Sequence, residues 1–304
     1  MDKKQLGKSD LMVSPISLGC MSLGTDDKQA ANVIDEATEL GINYLDTADL
    51  YDQGLNEEMV GKAIQNKRKD IILATKVGNH LKEDGSWFWD PSKSYIKEQV
   101  KQSLKRLRTD YLDLYQLHGG TIEDPIPETI EAFEELVQEG VIRYYGISSI
   151  RPNVIREYMT SSNIISVMMQ YSLLDRRPEE TILNELSDQQ ISVVTRGSLA
   201  KGMLSHHGLD IIEKKGLKGY LDYDQSSLND TVSQLQQLLK PNQTLNGLAL
   251  NYVLNNKAVT SIVAGASSSN QLRENVEALH QSFDQEQLDK AASITLENTY
   301  QQHR

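Results

Sequence analysis

Short apolar or β-branched runs recur eight times along the chain, each followed by a stretch with helical spacing, and this alternation restricts the fold to βα units around a parallel sheet. The predicted strands are Ile16–Cys20, Asn43–Ala48, Ile71–Val77, Tyr111–His118, Val141–Ser148, Ile165–Gln170, Ile191–Ser198 and Thr260–Ser267. Several are near-continuous apolar runs, the pattern of strands covered on both faces. Between them, Val33, Ile34, Ala37 and Leu40 share a helical face that stops at Gly41, a residue suited to the positive φ of a helix C-terminus. Ile96, Val100, Leu104 and Leu107 repeat that spacing, as do Ile130, Phe133 and Val137 ahead of Gly140.

Eight consecutive units over about 250 residues, with nothing marking a break into halves, fit a (β/α)8 TIM barrel. One domain spanning residues 1–304 is the expected organisation, and a two-domain α/β protein is the alternative that the length allows. Ahead of the first unit, QLGKSDLMVSP predicts an N-terminal β-hairpin plugging one end of the barrel. After the last, Asp284–Glu297 predicts an extra C-terminal helix. Two connections are long, Gly78–Pro91 and roughly Leu199–Asn242, and both leave C-terminal strand ends, where barrel sites are built.

The 31 basic and 43 acidic residues leave a formal charge of -12, which repels phosphate backbones and anionic lipid, so nucleic-acid and membrane partners are disfavoured. The start, MDKKQLGKSD, has no apolar stretch behind its lysines, and no run approaches the ~18 apolar residues of a membrane span. Cys20 is the only cysteine and can form neither an internal disulfide nor a metal cluster, which points to the cytoplasm. His206 and His207 are adjacent, but no cysteine or carboxylate at ligand spacing completes a metal site, and a mobile cover is the reading for their segment.

In a barrel, polar residues at strand C-termini are the ones to inspect: Asp46 in YLDTAD, Lys76 in ILATKVG and His118 in YLDLYQLH, with Tyr51 just beyond the second strand. Singly, each has a structural reading as a helix cap, a lysine reaching to solvent, a packed tyrosine or a satisfied histidine. As a group they belong to adjacent strands ~5 Å apart and can share one space. A lysine there needs a carboxylate to stay charged, which Asp46 can supply. A charged Lys76 beside Tyr51 would pull the phenol down from its reference of ~10 and make it a proton donor. The fitting acceptor is a carbonyl oxygen whose carbon receives a hydride, with His118 orienting it. Barrels also host Schiff-base aldolases, for which Lys76 would be the nucleophile; the neighbouring Asp46 favours a protonated lysine instead.

Taken in order, LGKSDLMVSPISLGCMSLG, INYLDTADLYDQGLNEEMVGKAI, IILATKV, YLDLYQLH, GVIRYYGIS, MMQYSLL and GASSSNQLRENVEAL resemble the aldo-keto reductases from end to end. The resemblance implies a (β/α)8 barrel and a catalytic tetrad of Asp46, Tyr51, Lys76 and His118. It also implies NADPH lying extended across the barrel mouth, consistent with the lack of a G-x-G-x-x-G after any strand. Gly19, Met21 and Asp46 would line the cofactor site, and Ser148 and Gln170 would hold the carboxamide. Arg196, Gly197, Ser198, Leu199 and Gly202 of RGSLAKGML would run beneath the nicotinamide and along the pyrophosphate. Gly265, Ser267, Ser268 and Gln271 would meet the adenosine phosphate, and Glu274 and Asn275 the adenine.

Three features depart from the family pattern. Arg196 stands where many relatives have a stacking tyrosine, Ser148-Ser149 where many have Ser-Asn, and Gly265 and Gln271 where some have lysine and arginine at the 2′-phosphate. NADPH is therefore the implied cofactor with NADH as the alternative. The aromatic run GSWFWDP, with Trp87 and Trp89, either packs its loop on the barrel or forms a wall for an apolar carbonyl substrate. The expected function is NADPH-dependent reduction of aldehydes or ketones with Tyr51 as proton donor. The alternative is an NADPH-binding regulatory or sensor subunit of the same fold with little turnover.

Overall fold

The computed structural model describes residues 1–304. An antiparallel hairpin of β1 (Lys4–Gln5) and β2 (Met12–Val13) precedes a closed barrel of eight parallel strands: β3 (Ile16–Gly19), β4 (Tyr44–Asp46), β5 (Ile72–Val77), β8 (Leu112–Leu117), β9 (Ile142–Ser148), β10 (Ser166–Gln170), β11 (Ser192–Arg196) and β12 (Val259–Gly265). Strand β12 closes on β3, pairing Gly265 with Gly19. All eight expected strands form, and the extra C-terminal helix is Gln285–Ile294. No helix is long and apolar enough to cross a membrane.

Alternate residues of each barrel strand face the axis. Tyr44, Ala74, Leu114, Met168 and Val194 form one inner cluster, and the hairpin's Leu6, Leu11 and Val13 join it, so the hairpin plugs the N-terminal end. The outward residues, such as Leu45, Leu73, Tyr115 and Ile147, pack under the helices in a second, larger cluster. Helix Ile126–Gln138 buries Thr129, Ala132, Phe133 and Leu136, while Ile130 and Val137 of the expected face are only half-buried. Thr129 turns inward because its hydroxyl donates to the Pro91 carbonyl at 2.8 Å.

Both long connections carry structure of their own. Gly78–Pro91 contains a second hairpin, β6 (Asn79–Leu81) paired with β7 (Trp87–Trp89). Its turn is set by Asp84, whose carboxylate accepts from the Ser86 N–H at 2.9 Å, and by Gly85 at φ +80°. The segment after β11 folds into helices Gly208–Lys215 and Gln225–Gln237. Leu204, Ile212, Tyr223, Leu228, Val232 and Leu235 join an apolar cluster with Leu248 and Ala249.

Helix Leu55–Ile64 fixes the segment that follows β4, and it lies against helix Lys93–Leu107 at Gly61. A Cβ at Gly61 would stand 2.6 Å from the Arg106 carbonyl oxygen and 2.7 Å from Leu107 Cα, both backbone atoms that cannot swing aside. Gly61→Ala should therefore lower stability by about 1–3 kcal/mol, the range for overpacking, despite alanine's higher helix propensity. Denaturant unfolding of the variant is the check.

Candidate active site

The register of the barrel places the inward residues of its last rung together. Gly19 pairs with Asp46, Asp46 with Ala74, Lys76 with Gln116, Gln170 with Arg196 and Gly265 with Gly19. His118 follows β8, with its N–H on the Val77 carbonyl at 2.7 Å. Tyr51 arrives from a short turn, Tyr51–Gly54, in which Asp52 and Gln53 take positive φ of 47° and 55°. That turn is tied down from behind. Thr47 donates to Asn56 at 2.7 Å, Asn56 donates to the Cys20 carbonyl at 2.8 Å, and the buried Glu57 accepts from Thr75 at 2.5 Å and Arg106 at 2.7 Å.

Lys76 is 1% exposed and its ammonium meets three acceptors: Asp46 Oδ1 at 2.5 Å, the Thr47 carbonyl at 2.8 Å and the Tyr51 hydroxyl oxygen at 3.3 Å. Three partners satisfy the three N–H groups of a charged lysine. Burial draws the Lys76 pKa down, but Asp46 and Tyr51 outweigh it and leave the lysine above its ordinary value. Burial lifts Asp46 above the usual carboxylate range, opposed by Lys76 and by Gln116, which donates to Oδ2 at 3.2 Å.

The Tyr51 pKa lies above its ordinary value, because burial outweighs the pull of Lys76. The expected net lowering is thus corrected: the cation offsets part of the burial effect, and the phenol stays protonated. His118 is depressed to about 3 by burial, with Lys76 and Arg196 adding to the effect, so its ring is neutral. Its Nδ1 is sealed from solvent without a partner, which leaves Nε2 as the nitrogen open to the cavity. The Tyr51 and His118 rings meet edge to face at 5.8 Å.

These four residues form part of the wall of a cleft of about 1380 Å³. Gly19, Met21, Ser148, Gln170, Arg196, Gly197, Ser198, Leu199, Gly202, Gly265, Ser268, Gln271, Glu274 and Asn275 line the same cleft, as do Trp87 and Trp89. Ser267 does not: its N–H and hydroxyl turn to the Gln271 side-chain oxygen, at 3.1 and 3.4 Å, so it shapes the segment from outside. The lining fits a dinucleotide in two respects. Gly19 and Gly265 leave the floor open where a Cβ would meet Val263 at 2.9 Å or Ser22 at 2.7 Å. At the other end, Asn275 is 1% exposed with its amide nitrogen unpartnered, a donor waiting for an acceptor.

Gln170 is held by three bonds, donating to Asp175 at 2.8 Å and to the Tyr220 hydroxyl at 3.0 Å and accepting from Arg196 at 3.2 Å. Trp89 packs against Gly78 and Gly119, where a Cβ would stand 2.6 and 3.2 Å from its ring, and its Nε1–H donates to Asp124 at 3.0 Å. Sequence reasoning missed Gln116, Asn79 and Arg151, all of which lie at or near the mouth. Gln116 was within reach, since it sits two residues before His118 and so faces the same side of the strand.

Comparison with known proteins agrees with this geometry. Residues 15–295 match the model of the aldo/keto reductase family. The uncharacterized oxidoreductase YqkF of Bacillus subtilis is 57% identical over the full length of both chains. The NADH-specific methylglyoxal reductase of Escherichia coli is 30% identical, covering 92% of this chain and 94% of its own. The holo form of an aldo-keto reductase from Bacillus halodurans superposes with a TM-score of 0.93 at 56% identity, covering 100% of this chain and 99% of that one. The chain belongs to the aldo/keto reductase family of nicotinamide-dependent oxidoreductases.

Proposed function

We propose that this protein reduces aldehydes or ketones to alcohols with NADPH as the hydride source and Tyr51 as the proton donor. The observation that carries the reading is the buried, fully bonded Lys76 ammonium 3.3 Å from the Tyr51 hydroxyl, beside a cleft of dinucleotide size. When bound, the nicotinamide supplies a hydride to the carbonyl carbon. Tyr51 gives its proton to the carbonyl oxygen as negative charge grows there, and Lys76 stabilises the phenolate left behind. Asp46 keeps Lys76 charged. His118, neutral and carrying its proton on Nε2, donates to the same oxygen and sets the angle of the carbonyl.

Ser148 and Gln170 would hold the carboxamide, Arg196–Gly202 the pyrophosphate, and Glu274 and Asn275 the adenine, with Trp87 and Trp89 beside the substrate. A relative named for methylglyoxal reduction supports a small carbonyl substrate, and its naming as NADH-specific makes the choice of nucleotide a matter for measurement.

Both tryptophans of the chain line the cleft, so their fluorescence reports nucleotide binding directly. Titration with NADPH and NADH should quench it, and a flat response to both would overturn the reading. Tyr51→Phe should cost about 10²–10⁴-fold in turnover, the usual worth of a positioned acid, while leaving the nucleotide Kd nearly unchanged. Full activity in that variant would sink the mechanism.

The pH profile follows from the same groups. With His118 depressed to about 3 and Tyr51 held above its ordinary value, neither changes charge between about pH 5 and 9. Carbonyl reduction should be flat across that window and fall only at alkaline pH, as the Tyr51 proton is lost. A limb near pH 6.5 would mean that a histidine titrates in the catalytic step, contrary to this assignment.

A further inference from the structure

Eight of the eleven arginines are ion-paired to carboxylates, leaving Arg108, Arg151 and Arg196. Arg108 is exposed at the end of helix Lys93–Leu107. The other two line the cleft. In a chain of charge -12, two guanidiniums without acid partners in one cavity make it a place where an anion is attracted. Arg196 belongs to the segment assigned to the cofactor, whose phosphates would answer its charge. Arg151 lies outside that segment, in the turn after β9, and has no such partner.

Arg151 is half-buried and donates through Nη1 to the carbonyl of Gly120, two residues past His118. Its side chain makes no other hydrogen bond. The nearby carboxylate of Asp124 is taken up differently. It accepts from Trp89 Nε1 at 3.0 Å and from the N–H and hydroxyl of Thr121, each at 2.8 Å, and forms no ion pair with Arg151. The turn Gly119–Thr121 is therefore fastened on one side to Asp124, which also holds the Trp89 indole, and on the other to a guanidinium with free N–H groups. A planar guanidinium with unused donors is suited to a carboxylate, which it can grip with two parallel bonds.

Building on the carbonyl-reductase reading, we propose that Arg151 binds an anionic group of the substrate, so that the preferred substrates are aldehydes or ketones bearing a carboxylate. The carbonyl then meets Tyr51 and His118, the body of the substrate lies along Trp89, and the carboxylate pairs with Arg151.

The test compares 4-formylbenzoate with its methyl ester, which share ring and aldehyde and differ in one charge. For wild type, Arg151→Gln and Arg151→Lys, kcat/KM is measured for both compounds, and Kd is measured for both by tryptophan quenching with cofactor bound. Wild type should prefer the acid. Arg151→Gln should reduce the acid-to-ester ratio about tenfold to a hundredfold, as expected for loss of a charged hydrogen bond, through KM and Kd for the acid alone. Arg151→Lys should recover part of it. A role limited to holding Gly120 would slow both compounds alike and leave the ratio unchanged, and that outcome, or a wild-type preference for the ester, overturns the proposal. If wild type reduces neither compound with either nucleotide, the carbonyl-reductase reading fails, while the ratio of Kd values still decides whether Arg151 recognises the carboxylate.

Discussion

The site depends on one buried ion pair. Taking the Lys76 ammonium out of water costs several kcal/mol unless its charge and all three of its N–H groups are answered, and the barrel answers them with Asp46, the Thr47 carbonyl and the Tyr51 hydroxyl. Two of those acceptors come from consecutive residues at the end of β4, and the third from the turn that follows. The position of Tyr51 is thus a condition of lysine burial as much as of catalysis. The supports behind it, Asn56 on the Cys20 carbonyl and Glu57 between Thr75 and Arg106, hold the turn in the strained form that presents the phenol.

The same charge sets the states of its neighbours. Burial raises Tyr51 and lowers His118, so both are pushed towards their neutral forms, and Lys76 counteracts this at the phenol while reinforcing it at the imidazole. A single cation therefore separates two groups that could both serve as acids. Tyr51 keeps a proton whose loss Lys76 makes less costly, and His118 keeps a neutral ring that can donate a hydrogen bond but holds no second proton to give. The division of labour follows from where one ammonium is buried, without any further specific partner for the histidine.

Much of this was legible in the sequence because strand parity and strand ends are legible. Asp46, Lys76, Ser148, Gln170 and Arg196 all face the axis at the C-terminal rim, and an inward residue at the end of a barrel strand can be read from alternation alone. The sign of the net Tyr51 shift was not legible, because it is a difference between burial and Coulomb effects, and burial belongs to the folded chain. The β6–β7 hairpin was missed although Asp84-Gly85 is a turn signal, since its strands are three residues each and their pairing rests on the Asp84–Ser86 bonds. That Ser267 lies off the cleft was not legible for a related reason: Gln271 folds back to accept from it, a choice of rotamer that no spacing rule foretells.

The two ends of the cleft are built on different principles. At the reacting end the ammonium, the Gln170 amide and the Trp89 indole already have partners, three for Lys76, three for Gln170 and Asp124 for Trp89, while His118 and Arg151 keep nitrogens without one. Such a site spends little free energy on reorganisation as charge develops, which is where electrostatic catalysis gains most. At the end proposed for the adenosine the groups are neutral or acidic, Ser268, Gln271, Glu274 and Asn275, and the one cation of that helix, Arg273, is tied to Glu36 at 2.5 Å and lies off the cleft. Attraction for a 2′-phosphate there would come from hydrogen-bond donors without a full charge, and neutral donors serve a ribose hydroxyl nearly as well. On the proposed reading, the bonded Lys76 at one end and the weak charge of the other have a common consequence: the fold would fix the chemistry performed on a carbonyl more strictly than which nicotinamide nucleotide delivers the hydride.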